Sequence, residues 1–372
     1  MWKLLKTNLV IEKSSKKNIF AFIFIALFIF GLALYMENED VGNLAAQKTS
    51  EQQNVLSALS QYPDMDASPN GDSSEIYKNL NEQQRLIALQ RIAANLNKPD
   101  LFADSAIDLS NAREKAFQDE DYGDVAEFLP TYNENKLETI FYEKLISLDI
   151  PIFTDNLTYY QFLIFLFGIL GSVWFIFVAF YTCGIMIDDF KHTSLIKGYP
   201  ISFDKYVAAK GISTMSIILV FILEIFLCSL PLIYFRGLGD PNYPVAVFDG
   251  NYEIYSITKY IGISVLYMIF IAIFVILLSI ILNVLLKNMY LTLFVEMFLF
   301  ALPLLFPRLV SLIPFNPFNY INFTDLLDGK SLELAHPVGL NSTHGLIYIG
   351  ISIVILIVIA NVFLSTGKLK RV

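Results

Sequence analysis

Six stretches of this chain stay apolar for close to the 20 residues that a helix needs to cross about 30 Å of hydrocarbon, and no other feature restricts the fold as strongly. They are residues 18–36, 159–187, 211–235, 260–286, 288–307 and 345–367. The first is uncharged throughout, and the third and fifth are each interrupted by one carboxylate, Glu224 and Glu296. Continuous apolar runs of this length read as helices, because a membrane β-strand alternates and is shorter. The expected fold class is an all-α integral membrane protein with six transmembrane helices.

Composition supports the same class. Only 16% of residues are charged, against roughly 25% in a soluble domain, which excludes a wholly soluble protein. With His 3 and Cys 2, there is little material for a histidine-rich metal centre or a disulfide framework. Cys183 and Cys228 lie inside apolar runs and read as buried thiols.

The charges are uneven. Residues 37–158 hold 23 Asp/Glu against 9 Lys/Arg, a net of −14, so the rest of a chain whose total is −9 carries +5. An acidic, water-soluble insert is thus set into a mildly basic membrane protein, which argues against nucleic acid as a partner. Apolar residues repeat at helical spacing in Leu86, Leu89, Ala93 and Leu96, and again in Leu137, Ile140, Phe141, Leu145 and Leu148. Pro63, the turn at 69–71, Pro99 and Pro130 divide the insert into about four helical segments, and Pro151 breaks the chain before the second apolar run. The expectation is a helical extracytoplasmic domain between transmembrane helices 1 and 2. A partly disordered acidic loop fits 61–74 but not 75–97.

Lys and Arg in short loops resist translocation and so orient the chain. With the N-terminus inside, cytoplasmic segments hold 13 of them, and the outer loops 236–259 and 308–344 hold 4. Both termini are then cytoplasmic. Lys13, Lys16 and Lys17 before the first run suggest a secretory signal, but the run is too long and lacks a small-x-small cleavage site, so an uncleaved anchor is expected. Residues 1–17, with Trp2, Leu5 and Leu9 on one side and Lys3, Lys6 and Lys13 flanking, form either a helix lying on the cytoplasmic interface or a plain basic tail.

The cytoplasmic segment 188–210 is short and patterned. Asp188, Asp189 and Thr193 can cap a short helix with Leu195 and Ile196 as its apolar face, and Pro200 and Ser202 stop it and start another. Here the sequence resembles the permeases of type 2 ABC transporters. Their pattern after the second span is an acidic residue, then Thr, an apolar pair, Pro, a small polar residue and a Lys opening the third span. Those places correspond to Asp189, Thr193, Leu195 with Ile196, Pro200, Ser202 and Lys210. His192 stands where family members commonly have Gly. The topology is similar over nearly the whole chain, including an irregular outer hairpin between spans five and six, for which Leu309–Leu327 is the candidate.

The resemblance implies a permease without its own ATPase, with ATP bound by separate partner subunits at the cytoplasmic face and no cofactor on this chain. It implies pairing with an identical or related permease in the cytoplasmic membrane of a bacterium, and export of a peptide, drug or lipid-like substrate. The sequence has no phosphate-binding loop: Gly329-Lys330-Ser331 has Thr324 where G-x-x-x-x-G-K-S begins. Glu224 and Glu296, at membrane depth, either line a pathway and attract a cationic substrate or hydrogen-bond neighbouring helices. An enzyme would need a catalytic cluster at membrane depth, and neither H-E-x-x-H nor a pair of intramembrane Asp residues occurs. A sensor or scaffold whose outer domain binds an envelope partner is the alternative function.

Overall fold

A computed structural model describes residues 2–39, 41–62, 74–150, 152, 158–191, 202–313, 316–330 and 340–365. The chain is a helical, multi-pass membrane protein. Five helical segments are long and apolar enough to cross a bilayer: Lys16–Asn38, Tyr159–Phe190, Phe203–Arg236, Ile257–Leu286 and Ser342–Val362. The sixth apolar run, expected over 288–307, forms only the 17-residue helix Met289–Leu305. At 1.5 Å per residue that is about 26 Å, short of the roughly 30 Å core. The cause is local: Pro303 lacks an amide proton inside the helix, and Pro307 opens the next helix after a break at Phe306.

Contacts divide the chain into two compact units. The first comprises Met1–Leu32, Leu163–Pro231 and Ile261–Val372. It contains α1 (Trp2–Lys13), most of α2 (Lys16–Asn38), α7 (Tyr159–Thr182), α8 (Ile187–Lys191), α9 (Phe203–Ser229) and α11 (Ile257–Leu286). It continues through α12 (Met289–Leu305), α13 (Pro307–Ser311), α14 (Phe323–Leu327) and α15 (Ser342–Ser365). Helices α7 and α11 form its centre, with 56% and 61% of their apolar windows buried, against 22% for α2 and 17% for α15. Trp174 on α7 donates its indole N–H to the Met268 carbonyl on α11 at 2.8 Å, and Phe175 stacks on Phe300 of α12. The outward apolar residues of α2 and α15, such as Leu27 and Val358, remain exposed, as residues facing lipid do.

Residues 316–327, after α12, fold back onto α7. Thr324 donates its hydroxyl to the Gly168 carbonyl at 2.5 Å, nine residues or roughly 13 Å along α7 from its start. A Cβ on Gly171 would overlap Thr324, so glycine is what admits the hairpin there. Tyr267 on α11 donates to the Ser342 carbonyl at the start of α15 at 2.7 Å.

The second unit comprises Ala33–Phe162 and Leu232–Tyr260. Its helices are α3 (Leu44–Leu59), α4 (Glu75–Asn95), α5 (Pro99–Ala116) and α6 (Tyr132–Ser147), with α10 (Pro231–Arg236) following α9. Asn43 and Ser74 cap α3 and α4, Pro99 opens α5, and Thr131 with Glu134 forms a reciprocal capping box on α6. Val55, Ile76, Leu80, Ile87 and Leu109 build the main apolar core. Beside it Lys48 and Arg113, each 3% exposed, meet Glu51 and Glu138, tying α3, α5 and α6. Burial would raise the Glu138 carboxyl, but Lys48 and Arg113 outweigh it and hold it well below the usual carboxylate range.

Loop 236–259 holds an antiparallel hairpin, β1 (Pro244–Phe248) and β2 (Tyr252–Ser256), turning at Asp249-Gly250 with Gly250 at φ 79°. It packs against α6, where Tyr252 donates to Asn133 and Tyr243 meets Phe141 edge to face. The acidic insert and this loop are one folded unit.

Candidate functional site: the polar joint at the end of α7

Helix α7 stops at Thr182, and a four-residue turn leads into α8. A helix end leaves backbone groups without partners, which is costly away from water. Asn283 on α11, fully buried, supplies them: its amide oxygen accepts from the Met186 N–H at 3.1 Å and its amide nitrogen donates to the Cys183 carbonyl at 2.7 Å. The same nitrogen reaches Thr292 Oγ1 on α12 at 3.1 Å.

Thr182 is held by a second set of contacts. Its hydroxyl lies 2.8 Å from the Val178 carbonyl and 2.7 Å from Ser279 Oγ on α11. Ser279 in turn donates to Glu296 Oε1 on α12 at 2.5 Å. Glu296 is fully buried, and its Oε2 has no hydrogen-bond partner. A carboxylate at such depth costs about 2.5–3.5 kcal/mol on insertion scales, so the position is not neutral packing.

Tyr181 is gripped from a third side. Its hydroxyl donates to Asn18 Oδ1 at 2.7 Å, and Asn18 donates to the carbonyl and carboxylate of Glu12 at 2.7 and 2.9 Å across the α1–α2 break. Lys17 donates to the Tyr181 carbonyl and places its ammonium 4.1 Å above the ring. Three consecutive residues at the end of α7, Tyr181 to Cys183, are therefore bonded to two parts of the bundle, the α1–α2 break and α11.

Immediately beyond lies the segment 188–210. Asp189 on α8 pairs with Lys210 on α9 and accepts from the Tyr206 hydroxyl at 2.9 Å. Asp188 shares the first turn of α8. Thr193, Leu195, Ile196 and Pro200, with His192, lie outside the described residues. Ser202 occupies the N-cap position of α9 without a side-chain capping bond.

The other intramembrane carboxylate stands apart. Glu224 on α9 is half-buried between the exposed Leu223 and Leu227, with Oε2 enclosed and unpartnered, and no hydrogen bond links it to Glu296. Among the described residues no group of three His, Cys, Asp or Glu could hold a metal, and Cys183 and Cys228 are free thiols. The residues that surround Glu296 are visible as a pattern in the sequence: Ser279 with Asn283, and Thr292 with Glu296, are polar pairs one helical turn apart inside apolar runs. Compared with known proteins, the chain matches no family model, no curated protein and no solved structure.

Proposed function

We propose that this chain is the membrane-spanning permease subunit of an ATP-driven ABC transporter, an exporter of a peptide, drug or lipid-like substrate. The observation that carries the reading is the Asp189–Lys210 pair, which ties the two flanks of the 192–201 loop to each other. The two flanks so tied, leading directly into the joint at Thr182, Cys183 and Met186, can pass a push from a cytoplasmic ATPase to α7, α11 and α12.

In this reading the chain crosses the membrane six times, α12 being the short fifth crossing, and both termini are cytoplasmic. The acidic second unit lies outside, where its charge suits a cationic or amphipathic cargo. Two permeases, identical or related, flank the pathway, and two ATPase subunits bind below. The membrane is the cytoplasmic membrane of a bacterium.

The test is co-purification in detergent with candidate ATPase subunits, for the native chain and for Leu195→Asp with Ile196→Asp. Co-elution of the native chain and its loss in the double variant are expected. Co-elution unchanged by the substitutions removes the coupling role. Labelling of a cysteine placed at 197 from outside intact cells removes the orientation, and capture of an envelope protein in place of an ATPase favours a scaffold.

A further inference from the structure

We propose that Glu296 is a proton-exchange site enclosed in the membrane unit. The inference does not depend on the permease reading. It starts from an asymmetry in the carboxyl group: Oε1 accepts from Ser279 at 2.5 Å, whereas Oε2, equally buried, has no hydrogen-bond partner. Oε2 meets neither a donor that would stabilise a carboxylate nor an acceptor for an O–H, so Ser279 is the hydrogen-bond partner of the carboxyl in either protonation state, accepting from it when it is protonated and donating to it when it is not.

The surroundings exclude a larger occupant. Ser279 and Thr182 are committed to each other, to Glu296 and to the Val178 carbonyl. Asn283 is committed to Met186, Cys183 and Thr292. No set of free oxygens remains to replace the hydration shell of a metal cation, which needs several ligands. Glu296 is fully buried, so a cationic substrate does not reach it. The titratable group facing it from the turn after α7 is the Cys183 thiol, itself facing Lys17. From α11 come the uncharged Ser279 and Asn283, and α12 carries no other acidic or basic side chain.

The exchange step is a simple transfer. The carboxyl O–H bond breaks, the proton passes to a water molecule admitted when α12 moves away from α7 and α11, and the carboxylate left behind accepts a hydrogen bond from Ser279. Because Thr292, one turn from Glu296, also holds Asn283, hydration of this cluster loosens the Cys183 and Met186 contacts at the α7 break. Proton occupancy and the set of the joint are then linked.

Infrared difference spectra of the full chain in lipid nanodiscs, taken between pH values at which it stays folded, test this directly. The native protein is expected to show a pH-dependent carboxylic C=O band that Glu296→Gln removes and Glu224→Gln leaves in place. Ser279→Ala, which deletes the hydrogen bond to Oε1, is expected to move that band to higher frequency, and this arm stands if Glu296→Gln fails to fold. Superimposable spectra of the native chain and Glu296→Gln, or an unmoved band in Ser279→Ala, overturn the proposal. So does a Glu296 carboxylate band that responds to sodium at fixed pH, which would mark a metal-ion site.

Discussion

Lys210 reaches back 21 residues to pair with Asp189, closing the base of the loop between α8 and α9. Both side chains are partly enclosed, at 19% and 12% exposure, so the pair is less screened by solvent than a surface ion pair. Its geometric effect is larger than its contribution to stability, since it sets the separation of the two chain segments entering the loop.

Replacing Lys210 by Met should therefore affect coupling more than folding. The thermal midpoint in detergent is expected to fall by no more than about 2 °C, corresponding to about 1 kcal/mol in a chain of this size. On the permease reading proposed above, stimulation of the candidate ATPase subunits should fall at least about tenfold, a loss of about 1.4 kcal/mol in coupling. The exchanged pair Asp189→Lys with Lys210→Asp should recover part of it. Full stimulation in Lys210→Met would mean that the pair does not brace the loop.

Asn283 presents the opposite balance, because it satisfies two buried backbone groups at the α7 break. Asn283→Leu keeps the volume and strands the Cys183 carbonyl and the Met186 N–H. Each buried unsatisfied group costs about 1–3 kcal/mol, so a loss of about 2–6 kcal/mol is expected for the two. Unfolding in graded sodium dodecyl sulfate measures it, with Asn283→Gln as the comparison that retains the amide. Equal midpoints for the native chain and Asn283→Leu would show that water reaches the break.

Much of this architecture is legible in the amino-acid order, for reasons that differ by element. The long helices follow from apolar runs with no charge, and the helix through Leu86, Leu89 and Ala93 follows from spacing plus Ser74 at its cap. The hairpin was missed, although Val247-Phe248-Asp249-Gly250-Asn251-Tyr252 carries an Asp-Gly turn between strand formers. The short reach of α12 is not legible from hydropathy, because one Pro303 barely lowers the average of a run this apolar, whereas the helix responds to the lost amide proton. Glu296 was identified as a single residue, but its partners depend on how α7, α11 and α12 pack, and periodicity within one helix does not reveal its neighbour.

A close backbone approach gives a further test. A Cβ at position 171 would meet both the side chain and the backbone nitrogen of Thr324, so the hairpin has to shift. Gly171→Ala is expected to destabilise by about 1–3 kcal/mol, as overpacking does. Trimming the neighbour with Thr324→Ala should relieve only part of this, since the backbone contact stays and the hydrogen bond to Gly168 is lost. A Gly171→Ala protein as stable as the native chain would show that 316–327 does not lie against α7.

The buried ion cluster of the acidic unit predicts how that unit responds to acid. Lys48 and Arg113 keep Glu138 ionised to lower pH in the folded state than in the unfolded chain, whose Glu titrates near about 4.3. A carboxyl with a depressed folded value binds more protons when unfolded, so stability rises with pH through this range. Its contribution is complete above about pH 4.3 and disappears as pH falls through the folded value. Hydrogen exchange of peptides from α3, α5 and α6, corrected for intrinsic rates, should show protection falling through this acid window. Arg113→Met leaves Glu51 and Glu138 with Lys48 alone, and breaking a buried pair in this way costs about 3–5 kcal/mol. The variant should begin with weaker protection and show a shallower dependence on pH. A dependence identical to that of the native chain would mean that the four side chains do not act as a unit in solution.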